Sequence, residues 1–103
     1  MLFDGFPAQY GADMSLVAGV DSSTQSCSVV VCDTESGKVL RSASAPHPPG
    51  TEVSAQAWAD AYAEATRDPA LLEGVEAMAV GGQQHGMVTL DSDGGLVRDA
   101  LLW

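Results

Sequence analysis

Positive charge is scarce in this chain. Of 103 residues, 4 are Lys or Arg against 14 Asp or Glu, a formal charge of −10. Phosphate backbones and anionic membrane surfaces attract Lys and Arg, so neither a nucleic acid nor a membrane is an expected partner. Cysteine is nearly absent. Cys27 and Cys32 flank the run SVVV, which reads as a strand. At about 3.3 Å per residue they stand roughly 16 Å apart, and the odd spacing puts them on opposite faces. A disulfide needs Cα atoms within about 7 Å, so they do not pair with each other. Companion ligands at zinc spacing are missing as well. Both read as small apolar strand residues, in keeping with a reducing, cytoplasmic setting. No apolar run approaches the roughly 20 residues of a membrane span. The opening MLFDGFPAQYGAD has neither the basic start nor the sustained apolar stretch of a signal peptide. A GxxxxGK[ST] phosphate loop is also lacking.

What is present suffices for a core: 46% of residues are hydrophobic. At this length one small domain is the ceiling. Residues 1–14 show no period, and Met14 stands directly before SLVAGVD, where organised sequence begins. They are expected to form an upstream extension, with the domain at 15–103; the competing reading is an arm docked through Phe3, Phe6 and Tyr10. Residues 16–20 (LVAGV) are a short apolar run ending at Asp21, as in a buried strand. Residues 28–32 (SVVVC) are strongly β-branched and predict a second strand. The DTESGK turn at 33–38 offers Gly37 for a positive φ and returns the chain as a third strand over 39–44.

The connector APHPPG at 45–50 is too rich in proline for regular structure. Ser54 can cap a helix whose apolar face is Trp58, Ala61, Tyr62 and Ala65, spaced i, i+3, i+4, i+7. A fourth strand is predicted over 75–80 and a fifth over 87–90 (MVTL). After the DSDGG turn at 91–95, Leu96, Val97 and the closing ALLW are expected to return. The order is βββαβ and then ββ, an α/β class. The chain stops on an unshielded apolar segment and reads as cut.

Two constellations carry chemistry. In VDSSTQS (20–26) an acid at a strand end precedes small hydroxyl residues. Turn N–H groups and hydroxyls suit phosphate, and Asp21 can hold Mg²⁺ through water. The same residues also make an ordinary Asp/Ser turn, and spacing alone does not choose. In GGQQHG (81–86) the glycines admit a close neighbour, while Gln and His supply the donors and acceptors that sugar hydroxyls need. A polar loop with a satisfied histidine fits that stretch equally. His47, among prolines, reads as a loop residue rather than a ligand. Trp58 and Tyr62 read as core. Trp103 is either core or an apolar wall for a ligand.

Together, VAGVDSSTQS (17–26), PHPPGTEVSAQAW (46–58), AVGGQQHGM (79–87) and DALLW (99–103) resemble the start of the FGGY family of carbohydrate kinases, in its xylulose-phosphorylating branch. Order and spacing agree over nearly all of 15–103. The resemblance implies a partial N-terminal domain of the ribonuclease H-like, actin-type ATPase fold. It also implies transfer of the γ-phosphoryl group of MgATP to a sugar hydroxyl, here D-xylulose, so that ATP, Mg²⁺ and a small sugar are the expected partners.

Carried over position by position, Asp21 matches the first-strand aspartate important for activity through metal and phosphates. Ser23, Thr24 and Gln25 match the phosphate-facing turn. Gln84 and His85 match the dipeptide that contacts the sugar, and Trp103 matches an aromatic lining the substrate site. Two positions depart: Ser23 stands where many members have Gly, and Ser28 where members usually carry Lys or Arg, which removes a cation near the phosphates. The family's catalytic aspartate is expected beyond residue 103, so this piece alone should not catalyse transfer. Kinases for ribulose, glycerol or gluconate, or a non-catalytic module on the same fold, are the alternatives. The Gln-His pair disfavours the glycerol kinases, which carry Arg-Glu there.

Overall fold

The computed structural model describes residues 15–102. The expectations for residues 1–14 and for Trp103 lie outside the described residues.

Three strands form in succession as the β-branched runs predict: β1 (Leu16–Ser22), β2 (Ser26–Asp33) and β3 (Val39–Pro46). They make an antiparallel meander, with Val20 opposite Val29 and Val29 opposite Ala43. The β2–β3 turn uses Gly37 at φ 72°, a conformation a Cβ would strain. The Asp33 carboxylate accepts from the Glu35 N–H and the Ser36 hydroxyl in the same turn. Contrary to the sequence expectation, the Pro-rich connector does not end regular structure at residue 45. β3 continues through Ala45 and Pro46, and Pro46 lies opposite Ser26. Proline is tolerated there because β3 is an edge strand and an edge residue can forgo its N–H.

Helix α1 (Ala55–Ala65) begins where Ser54 predicts, the Ser54 side chain accepting from the Gln56 N–H. It packs on β2 and β3. Ala61 and Ala65, one turn apart, are buried in the contact, where their small side chains allow close approach. Facing them are Cys27, Val29 and Val31, all without solvent exposure. Strand alternation explains the set: 27, 29 and 31 share one face of β2, whereas Val30 looks the other way and is exposed. Burial of each valine contributes about 1.5–3 kcal/mol relative to exposure.

After α1 a turn carries Leu71 into the core. The Arg41 guanidinium on β3 ties that turn down, donating to the Ala70 carbonyl and, at 2.7 Å, to that of Glu73. The chain then enters β5 (Val75–Gly82), which pairs parallel to β1. The sheet order is β3-β2-β1-β5, so β1 is central and β5 an edge.

The expected order βββαβ is observed, with one addition. A two-residue strand, β4 (Glu52–Val53), precedes the helix and pairs antiparallel with β6 (Ala100–Leu101). The closing ββ therefore differs from expectation. Residues 87–90 are not a strand; Met87 and Leu90 form only isolated bridges, to Leu101 and Leu96. Those residues leave Met87, Val88, Leu90, Leu96 and Val97 exposed, with no sheet face to cover them. The returning segment pairs with β4 on its other edge, where Ala100 is fully buried beside Val53, and meets Met87 only through Leu101. The predicted 91–95 turn does form: the Asp91 carboxylate accepts from the N–H groups of Asp93 and Gly95. No helix among the described residues is long and apolar enough to cross a membrane.

Candidate functional site at the carboxyl ends of the strands

Strands β1, β3 and β5 run in the same direction, so their carboxyl ends meet at one edge of the sheet. Ligands of open α/β sheets bind beyond that edge. Asp21 lies opposite Ser28 on β2 and Gly81 on β5, and Ser22 lies opposite Cys27 and Gly82. The registers therefore bring three predicted features to one place: Asp21, the 23–25 turn and the loop at 83–86.

Asp21 is exposed although its strand is central. Ala18 and Val20 are buried on the helix side, so alternation turns Asp21 to the opposite, uncovered face. Ser23 is held by its own turn: its N–H donates to the Ser26 carbonyl at 3.0 Å and its hydroxyl to the same oxygen at 3.1 Å. That hydroxyl is engaged in shaping the turn. Thr24 and Gln25 are exposed at its tip. Gln84 and His85 are exposed in the loop after β5, and His85 adopts φ 56°, reversing the chain there.

On the helix side of the same edge lies a cavity of about 170 Å³ lined by Ser22, Trp58, Gly82, Gln83, Gly86 and Val88. A Cβ at Gly82 would meet nothing within 4 Å, so this glycine leaves the cavity floor open. The Gln83 Oε1 is buried without a hydrogen-bond partner among the described residues. A buried acceptor with no donor is costly, and a hydroxyl or water entering the cavity would satisfy it. Trp58 is thus a half-buried wall of the cavity, whereas Tyr62 packs against the core as expected, and Gln83, not its neighbours 84 and 85, lines this space. Sequence reasoning passed over both. Trp58 sits on the apolar helix face, and Gln83 looks like its twin at 84 until the course of the loop after β5 puts one in the cavity and leaves the other exposed.

His47 lies in the loop after β3, as expected, but it is buried there. It is 7% exposed, its main-chain N–H donates to the Gln25 carbonyl at 2.8 Å, and its Nδ1 lies 2.6 Å from the Ser23 carbonyl oxygen. A carbonyl only accepts, so Nδ1 carries the proton. Its Nε2 is buried with no partner among the described residues.

Both cysteines are free, as their spacing requires. Burial, and secondly the Asp21 carboxylate, push the Cys27 thiol above its ordinary range. Less thiolate at a given pH means less reactivity. Alkylation of the folded chain at mildly alkaline pH is expected to label the half-buried Cys32 and spare Cys27. Urea should open both, as peptide mass spectrometry would report.

With this geometry in place, the comparisons bear on it directly. An Arthrobacter sp. (strain NRRL B3728) xylulose kinase is 56% identical over 90 residues, 87% of this chain and 94% of that sequence. The chain belongs to the xylulose kinase family. A Streptomyces rubiginosus xylulose kinase is 45% identical over 97 residues, spanning 89% of this chain and 20% of the relative. The crystal structure of xylulose kinase from Bifidobacterium adolescentis superposes with a TM-score of 0.83 at 53% identity, over 87% of this chain and 18% of that one. The chain thus corresponds to about a fifth of those two xylulose kinases. Its sheet is a partial domain of the actin-like ATPase fold that sugar kinases share. No protein-family model matches the chain.

Proposed function

We propose that this chain supplies the N-terminal part of an FGGY-type kinase that moves the γ-phosphoryl group of ATP to D-xylulose, giving xylulose 5-phosphate. The observation that carries this is the parallel pairing of β1 with β5, which sets Asp21 beside Gly81. One sheet edge then holds an acid and a turn with exposed amides on one side, and a Gln/His loop on the other.

The residues fit the groups the reaction needs. Mg²⁺ keeps several waters and leans on substrate phosphates, so it needs few protein carboxylates. Among the described residues no cluster of three or more His, Cys, Asp or Glu competes for it, and Asp21 is the acid at the edge. Asp21 would hold Mg²⁺ through water, and Ser23, Thr24 and Gln25 would face the phosphates. When bound, MgATP supplies the transferable phosphoryl group and charge neutralisation for its oxygens. Gln84 and His85 would orient sugar hydroxyls, with Trp103 as an apolar wall. The unpartnered Gln83 Oε1 supports a polyol nearby.

Phosphoryl transfer depends on positioning and charge stabilisation from several elements at once. The isolated chain is therefore expected to be inactive. The test joins this chain to the remainder of the Bifidobacterium adolescentis enzyme and assays ATP consumption on xylulose, ribulose, glycerol and gluconate. Preferred turnover of xylulose supports the reading. Preference for another of the four overturns the substrate, and phosphorylation of xylulose by the isolated 103-residue chain overturns the claim that it is inactive alone.

A further inference from the structure

We propose that His47 is a positioning residue that aims the amides of the β1–β2 turn at phosphate; this rests on the reading of that turn given above. One residue, the first after β3, binds two carbonyls of the turn. Its main-chain N–H takes the Gln25 oxygen at 2.8 Å, and its imidazole Nδ1–H takes the Ser23 oxygen at 2.6 Å.

The peptide group is planar and trans, so its C=O and N–H point in opposite directions. Anchoring the Ser23 carbonyl toward His47 therefore turns the Thr24 N–H away from β3. Anchoring the Gln25 carbonyl does the same for the Ser26 N–H. The Thr24 N–H makes no hydrogen bond among the described residues, which leaves it available to an anion. Turn amides directed away from β3 in this way can line a concavity that binds phosphate oxygens.

The side chain is specialised for this task. It is 7% exposed, and Nε2 is buried with no partner among the described residues. Only the Nδ1 edge makes a bond, so the ring serves the turn rather than a network of its own. It also forms one wall of a cavity of about 310 Å³ with Thr24, Gln25, Pro48, Pro49 and Gly50. Prolines on both sides, Pro46 and Pro48, stiffen the backbone that carries it.

The experiment uses the ¹⁵N-labelled chain, with magnesium tripolyphosphate as the probe. Wild type, His47→Leu, His47→Asn and His47→Gln are compared. Long-range ¹H–¹⁵N spectra of wild type should show the ring protonated on Nδ1 and bare on Nε2. Tripolyphosphate should shift the Thr24 and Ser26 amides. His47→Leu should weaken that response by about tenfold, the scale of one net hydrogen bond lost from the turn, while the β1, β2 and α1 amides stay in place. Asn puts an N–H where Nδ1–H stood, so His47→Asn should recover most of the affinity. Gln places its amide one carbon farther out and should not.

A wild-type response that His47→Leu leaves unchanged overturns the role of His47 alone, as does the opposite tautomer. If His47→Leu does not fold, the ranking of Asn over Gln decides, and equal affinities overturn the proposal. No wild-type response to tripolyphosphate at any concentration overturns the phosphate reading of the turn itself.

Discussion

In a full-length kinase carrying this segment, Asp21→Asn is expected to lower kcat by about 10²–10³-fold, the usual cost of removing one group aimed at developing charge. The substitution keeps shape and removes the carboxylate. Asp21 is exposed on the uncovered face of β1, so the fold should not depend on its charge. The KM for xylulose should change little, because the sugar contacts are assigned to the loop beyond β5. The chimera described above, assayed by coupled ADP release, provides the measurement. A kcat within about threefold of the parent would mean that Asp21 does not act on the metal or phosphates.

Val29→Asp is the substitution with the largest expected effect on stability. Val29 has no exposed surface; it is flanked by Val20 on β1 and Ala43 on β3, and the side chain lies in the core with Ala61 and Ala65. A carboxylate there has no partner, and burying an unpaired charge costs several kcal/mol. Small domains hold about 5–15 kcal/mol in all. Loss of cooperative unfolding in urea, followed by circular dichroism, is the expected outcome. Val29→Ala should cost about 2 kcal/mol, for two lost methyl groups and the space they leave. Val30→Asp, one residue on but facing out, should shift the midpoint little. Equal sensitivity at 29 and 30 would contradict the assigned faces of β2.

Much of the fold was legible locally. The β-branched run at 28–32, the Gly37 turn and the Ser54 cap each act through neighbouring residues, and each formed where expected. Residues 87–90 misled because MVTL has strand composition, while a strand also needs a partner. The returning strand is only two residues long, so it gives Met87 a single bridge through Leu101 while its other edge pairs with Glu52–Val53, a pair too short to announce itself. His47 is the loop residue the sequence suggests, but its burial was not legible. Prolines on either side mark a connector, yet β3 runs on through Pro46 and delivers the next residue to the turn of another hairpin.

From the order of residues alone came the βββαβ succession, the pairing of cysteines with opposite strand faces, and the chemical character of VDSSTQS and GGQQHG. These follow from side-chain shape, periodicity and functional groups, all of which act over a few positions. Only the tertiary structure decided that Asp21 stands beside Gly81, that Gln83 and Trp58 share a cavity, and that His47 grips the turn. Those facts depend on strand register and crossover direction, which are set by burial of a common core between segments far apart in the chain.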